Sequence, residues 1–191
     1  MADPHGAYII EIGVPFSDPV ADGPVVEAAS REALREGVRL ETLIRELKAR
    51  KGYFHAGLVL MGYYNPFLQY GLERLIRDLA ETDVSGLIVP DLPYEESETL
   101  RHLAHAAQIA VIPLVGPNTN AERMQLYASD ALGYAYVVSV MGVTGERKTL
   151  ADTVGATLLR AKQAFTIPVA LGFGLTEPEQ LNGLPEEARP A

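Results

Sequence analysis

Three carboxylates fall within one short stretch near the start of the chain: Glu11, Asp18 and Asp22. The stretch begins as a strand. Ala7 to Val14 is apolar except for Glu11, and near-continuous apolar runs are the mark of buried parallel strands. A Glu inside such a run is costly unless it is paired or employed, because burial disfavours the charged form. Pro15 ends the strand, and Pro19, Gly23 and Pro24 fix the path of the loop that carries Asp18 and Asp22. Acids near the end of a parallel strand and in the loop after it are placed as α/β barrels place catalytic groups. The plainer reading makes Glu11 a buried structural acid and Asp22 an ordinary turn residue.

The elements that must hold these groups alternate strand and helix. Strands are expected near residues 7–13, 55–61, 86–89, 110–115, 134–139 and 168–172. Pro24 to Arg50 reads as helix broken near Gly37, with Val25, Ala29, Leu34, Val38, Leu43, Ile44 and Leu47 as its apolar stripe. Further helices are expected over 71–82, 95–107, 120–129 and 150–165, and Gly62 to Pro66 reads as loop. Repeated strand–helix units argue for a parallel sheet with helices outside.

Composition narrows the partners. The chain has 191 residues, 48% of them hydrophobic and 21% charged, enough for one domain with a sizeable core. A formal net charge of −9 argues against nucleic acid or an anionic membrane surface as partner. There is no cysteine, so neither disulfide nor thiolate chemistry is available, which is compatible with a reducing cytoplasm. No apolar run reaches membrane-spanning length, and Met1 to Gly6 has neither a basic nor an apolar region of the kind a secretory signal carries. His102 and His105 stand three apart on an expected outer helix, but no acid or thiolate accompanies them. They read, with His5 and His55, as solvated rather than as metal ligands.

The run Glu11-Ile12-Gly13-Val14-Pro15-Phe16-Ser17-Asp18-Pro19-Val20-Ala21-Asp22-Gly23-Pro24 is long, ungapped and specific. It resembles the signature of the tryptophan synthase alpha chain family. The resemblance implies a TIM (β/α)8-barrel fold and cleavage of indole-3-glycerol phosphate to indole and glyceraldehyde 3-phosphate. It puts the two catalytic acids at Glu11 and Asp22. Two later segments look like the same family. Tyr134 to Ser139 followed by Val140-Met141-Gly142-Val143-Thr144-Gly145 is similar to its sixth strand and mobile sixth loop. By that likeness Tyr136 lies near the substrate, Thr144 orders over it, and Gly142 and Gly145 let the lid close. Gly172-Phe173-Gly174 is similar to a segment whose small residues let backbone N–H groups approach a phosphate. Met61 to Pro66 and Pro90 to Pro93 look like further loops of the catalytic face. The resemblance also implies a partner, the beta chain, docked through Asp18, Pro19, Asn65 and Pro66. No cofactor is implied for this chain, since pyridoxal phosphate belongs to the beta chain.

Both ends depart from the family pattern. Only ten residues precede Glu11, too few for a preceding strand and helix. The prolines from Pro178 onward, with few apolar residues among them, do not suit an eighth strand. The expectation is therefore an incomplete barrel of about six parallel strands lacking the first and eighth βα units. It would form one partial barrel domain over 1–181, with an irregular tail over 182–191. Unpaired edges near Ile10 and Ala170 and weak hold on a substrate phosphate follow, and with them little turnover. The competing reading is a non-catalytic remnant that keeps only the face docking the beta chain.

Overall fold

The computed structural model describes residues 6–138, 147–172, 184 and 186–188. Their contacts fall into two compact units, divided between Val111 and Ile112.

The first unit holds a parallel sheet in the order β1 (Ile9–Gly13), β2 (Gly57–Met61), β3 (Val84–Ile88), β4 (Ala110–Val111). Its helices are α1 (Pro24–Arg35), α2 (Leu40–Ala49), α3 (Tyr64–Tyr70), α4 (Leu72–Leu79) and α5 (Glu98–Ala106). The expected break between α1 and α2 is present, and the chain turns there through Gly37 at φ +82°. The core lies between sheet and helices. Leu58, Leu60 and Leu87 from the strands meet Ile44, Leu47, Leu75, Leu79 and Leu100 from α2, α4 and α5, all nearly inaccessible to solvent. These helices are amphipathic, so burial of one stripe supplies most of their stability.

The second unit holds a parallel sheet in the order β5 (Leu114–Val115), β6 (Ala135–Val138), β7 (Val169–Gly172), with helices α6 (Ala121–Ala128) and α7 (Arg147–Ala164). Asn120 caps α6, its side-chain oxygen accepting the Arg123 N–H at 2.8 Å. Part of the stretch expected as an irregular tail lies against α7. Leu184 and Ala188 are buried, residues 186–188 form a 3-10 turn, and the Lys162 ammonium donates to the Glu187 carbonyl at 3.0 Å.

Three expectations need correction. The strand foreseen at 110–115 is two short strands separated by Ile112 and Pro113; proline has no N–H to give a ladder. The stretch from Tyr64 to Pro66, read as loop, opens α3. Pro66 falls in the first helical turn, where a missing N–H costs nothing, because those N–H groups have no partner within the helix. Instead the Tyr64 N–H donates to the Asp91 carboxylate at 2.8 Å. Finally, β1 is not buried on both faces. Among the described residues it pairs with β2 alone, and exposed and half-buried residues alternate along it.

A polar cluster ties α2, α3 and α4 together on their outer side. The Asp78 carboxylate accepts from the Lys48 ammonium at 2.8 Å and from the Tyr70 hydroxyl at 2.7 Å. The Arg74 guanidinium pairs with Glu41 at 3.0 Å and lies 4.2 Å from the centre of the Tyr70 ring. The hydrogen bonds from Lys48 and then Tyr70 lower the Asp78 pKa. A lowered carboxylate pKa contributes stability that is fully present above the ordinary aspartate value of about 3.9. That contribution is lost as pH falls through the lower folded value. Thermal unfolding from pH 6 down to acid should therefore show a steeper loss of stability in the native chain than in Asp78→Asn. Parallel pH profiles for the two would contradict this account.

Candidate active site

Strand β1 decides where Glu11 points. Side chains alternate across a strand. Ile10 and Ile12 pack against the core shared with the helices. Glu11 therefore projects from the opposite face of β1, together with Ile9 and Gly13, and is exposed. Its partner in register on β2 is Val59, which is buried yet lies outside the helix-side core. The carboxylate thus does not face the helix layer.

The loop after β1 carries Asp22 back to the C-terminal end of the sheet. It is pinned at two places. The Ser30 hydroxyl of α1 takes the Phe16 N–H at 2.8 Å and donates to the Phe16 carbonyl at 2.9 Å. Further along, the Ala21 N–H donates to the Tyr63 hydroxyl at 3.0 Å. The rings of Phe16 and Tyr63 stand 5.3 Å apart, centre to centre. A cavity of about 300 Å³ opens here, and Asp22 lines it with Gly13, Val14, Met61, Tyr63 and the inner side of α1. Glu11 stands two residues before Gly13 on the same face of β1 but is not part of the cavity wall. Burial pushes the pKa of the Tyr63 hydroxyl up; the Ala21 N–H opposes this, while the charge of Asp22, a hydrogen bond to its carboxylate and the charge of Asp91 add to the rise.

The residues expected at a docking face are at the surface. Asp18 is exposed and accepts from the Ser17 hydroxyl at 2.5 Å; Pro19 is half-buried, beside the 81% exposed Val20. Asn65 is exposed and Pro66 half-buried, both on the first turn of α3 rather than in a loop. His102 and His105 are exposed on α5. Among the described residues no group of three or more metal-ligating side chains occurs.

In the second unit, Tyr136 and Gly172 come together. They lie on adjacent strands, Tyr136 beside Ala170 and Val138 beside Gly172. The Tyr136 ring extends over Gly172 so closely that a Cβ there would stand 2.3 Å from Cζ of the ring. Gly172 is thus needed for the place the ring occupies, a constraint invisible in the Gly-Phe-Gly spacing itself. Thr144, Gly145, Phe173 and Gly174 lie outside the described residues. Sequence reasoning put Tyr63 in a loop of the catalytic face but gave it no role of its own; its hydrogen bond with the loop that carries Asp22 sets it apart.

Gly172→Ala should force the Tyr136 ring out of its place and destabilise the chain by about 1–3 kcal/mol, the usual cost of overpacking. Thermal melts of the variant check this, and an unchanged melting temperature would contradict the close approach.

Residues 2–189 match the family described as tryptophan synthase alpha chain. The tryptophan synthase alpha chain of Desulfovibrio desulfuricans is 63% identical over 188 residues, covering 98% of this chain and 74% of the relative. That of Nitratidesulfovibrio vulgaris is 59% identical, covering 95% and 71%. Among solved structures, the alpha subunit from Campylobacter jejuni superposes with a TM-score of 0.81 at 32% identity over 92% of this chain and 70% of its own. The alpha chain of a Pyrococcus furiosus tryptophan synthase a2b2 complex does so with a TM-score of 0.86 at 33% identity, covering 98% and 75%. The fold is that of the TIM-barrel family. With nearly its whole length matched, this chain belongs to the tryptophan synthase alpha chain family.

Proposed function

We propose that this chain is the lyase of its family: it cleaves indole-3-glycerol phosphate to indole and glyceraldehyde 3-phosphate, a step in tryptophan biosynthesis. The observation that carries the reading is the run from Glu11 to Asp22. Glu11 leaves the sheet on the face away from the helices, and Asp22 is brought to the end of the same strand.

The reaction is a retro-aldol cleavage. Glu11 gives a proton to the indole carbon that bears the side chain and takes one from the glycerol hydroxyl. As that hydroxyl becomes a carbonyl, the carbon–carbon bond breaks and its electron pair returns to the indole ring. One proton given and one taken close the balance, so no oxidant, water or cofactor enters the equation. Asp22 accepts the indole N–H and stabilises the positive charge that builds on the ring as its carbon is protonated. Tyr136 positions the reacting groups. Thr144 and Gly145 close over the substrate, and Gly172, Phe173 and Gly174 approach its phosphate through their backbone.

The partner in this reading is the beta chain, which would carry the pyridoxal phosphate. The structural relative from Pyrococcus furiosus is part of an a2b2 complex. Asp18, Pro19, Asn65 and Pro66 form the docking face, and the exposure of Asp18, Val20 and Asn65 supports that role. A cytoplasmic site of action agrees with the absence of cysteine, and no helix among the described residues is long and apolar enough to cross a membrane.

Indole release from indole-3-glycerol phosphate, measured on the purified chain with and without a beta chain, tests the proposal. The expected result is release that Glu11→Gln reduces by about 10²- to 10⁴-fold, the usual worth of a positioned general acid–base. The circular dichroism of the variant should be unchanged, since the side chain is exposed. No release under either condition, or full activity in Glu11→Gln, would overturn it.

A further inference from the structure

We propose that Tyr63 is a positioning residue for the reaction: its hydroxyl clamps the loop after β1 and fixes the orientation of the Asp22 carboxylate. This deepens the lyase reading given above and rests on it.

The geometry supports the assignment in several ways. Tyr63 is only 4% exposed, although it stands two residues after the end of β2 and lines the cavity. Its backbone is held from both sides, because it leads into α3 while the next N–H, that of Tyr64, donates to Asp91 on the following strand's loop. The phenol therefore has little freedom. Its oxygen accepts the Ala21 N–H at 3.0 Å, which leaves its own O–H free to donate. The neighbouring acceptor is the Asp22 carboxylate, which lines the same cavity as Tyr63 and whose charge helps to raise the pKa of the phenol. A carboxylate has two oxygens. One held by Tyr63 leaves the other for the indole N–H. Phe16 packs on the Tyr63 ring and is itself fixed by Ser30. One buried ring thus ties the end of β2 to the loop before α1 and to the residue that meets the developing charge. A charge-stabilising group acts best when it is already in place as the transition state forms.

Tyr63→Phe removes the hydroxyl and keeps the ring contact with Phe16. The expected kinetic result is a fall in kcat of about 10- to 100-fold, the size of effect that misplacing a reacting group brings, with KM nearly unchanged. In an Asp22→Asn background the same substitution should change kcat/KM by less than about twofold, because a residue that acts through Asp22 has nothing left to position. Full activity in Tyr63→Phe, or an effect that multiplies that of Asp22→Asn, would overturn the proposal. Two readouts stand apart from turnover. Amide hydrogen exchange at Ala21 should accelerate in Tyr63→Phe while the amides of β2 and α4 keep their protection. In the chain with Tyr63 intact and labelled at Cζ, Asp22→Asn should lower the titration midpoint of the Tyr63 hydroxyl. If the native chain releases no indole, the lyase reading fails while these readouts still decide the clamp. An unchanged Ala21 exchange rate together with an unmoved Tyr63 midpoint would refute it.

Discussion

The two-residue period of a β-strand is the constraint on which the rest of this site depends. Ile10 and Ile12 are committed to the core beneath the helices, so Glu11 must emerge on the other side of the sheet. A slip of one residue would exchange the faces, burying a carboxylate among Ile44, Leu47 and Leu75 and expelling two isoleucines. The cost of an unpaired charge in that environment exceeds anything the loop could return. Register is read through β2 as well, where Leu58 and Leu60 share the helix side with Ile10 and Ile12, while Val59 lies across from Glu11. The position of the acid is thus set by hydrophobic packing on the opposite face.

Asp22 is placed by a different kind of force. Its loop has no regular structure and few apolar anchors, so directional polar contacts do the work. Ser30 holds the loop's beginning and Tyr63 its end. Tyr63 leads directly into α3, and α3 is joined to α2 and α4 through Tyr70, Asp78, Lys48 and Arg74. The polar cluster on the outer surface and the carboxylate at the strand ends are therefore linked by one short helix.

Much of this was legible in the sequence. The strand and helix order, the parallel pairing and the break at Gly37 follow from apolar runs and glycine, whereas the expectation of both acids facing one cavity does not extend to Glu11, which lies outside the wall that Asp22 lines. What escaped did so for identifiable reasons. Pro66 read as part of a loop, but in a first helical turn a missing N–H is harmless, and Asp91 accepts the N–H of Tyr64 from another loop. β1 read as doubly buried because its residues are apolar, whereas burial of a face is decided by what packs on it: the Ile10 and Ile12 face meets the core, and the Ile9, Glu11 and Gly13 face is exposed. The division of the fourth strand turns on Pro113, whose effect depends on which ladder its neighbours join. The partnerships of Tyr63 with Ala21 and of Tyr136 with Gly172 bring together residues 42 and 36 positions apart, contacts that no local pattern encodes.

The central claim is that the packing of Ile10 and Ile12 delivers residue 11 to the substrate, opposite the acid of the following loop. A crystal structure of the Glu11→Gln chain with indole-3-glycerol phosphate tests it most directly. The account predicts an indole ring within hydrogen-bond reach of Asp22 through its N–H, with the side chain of residue 11 against the bond to be broken. A ligand bound away from both residues, or residue 11 turned into the helix layer, would contradict it.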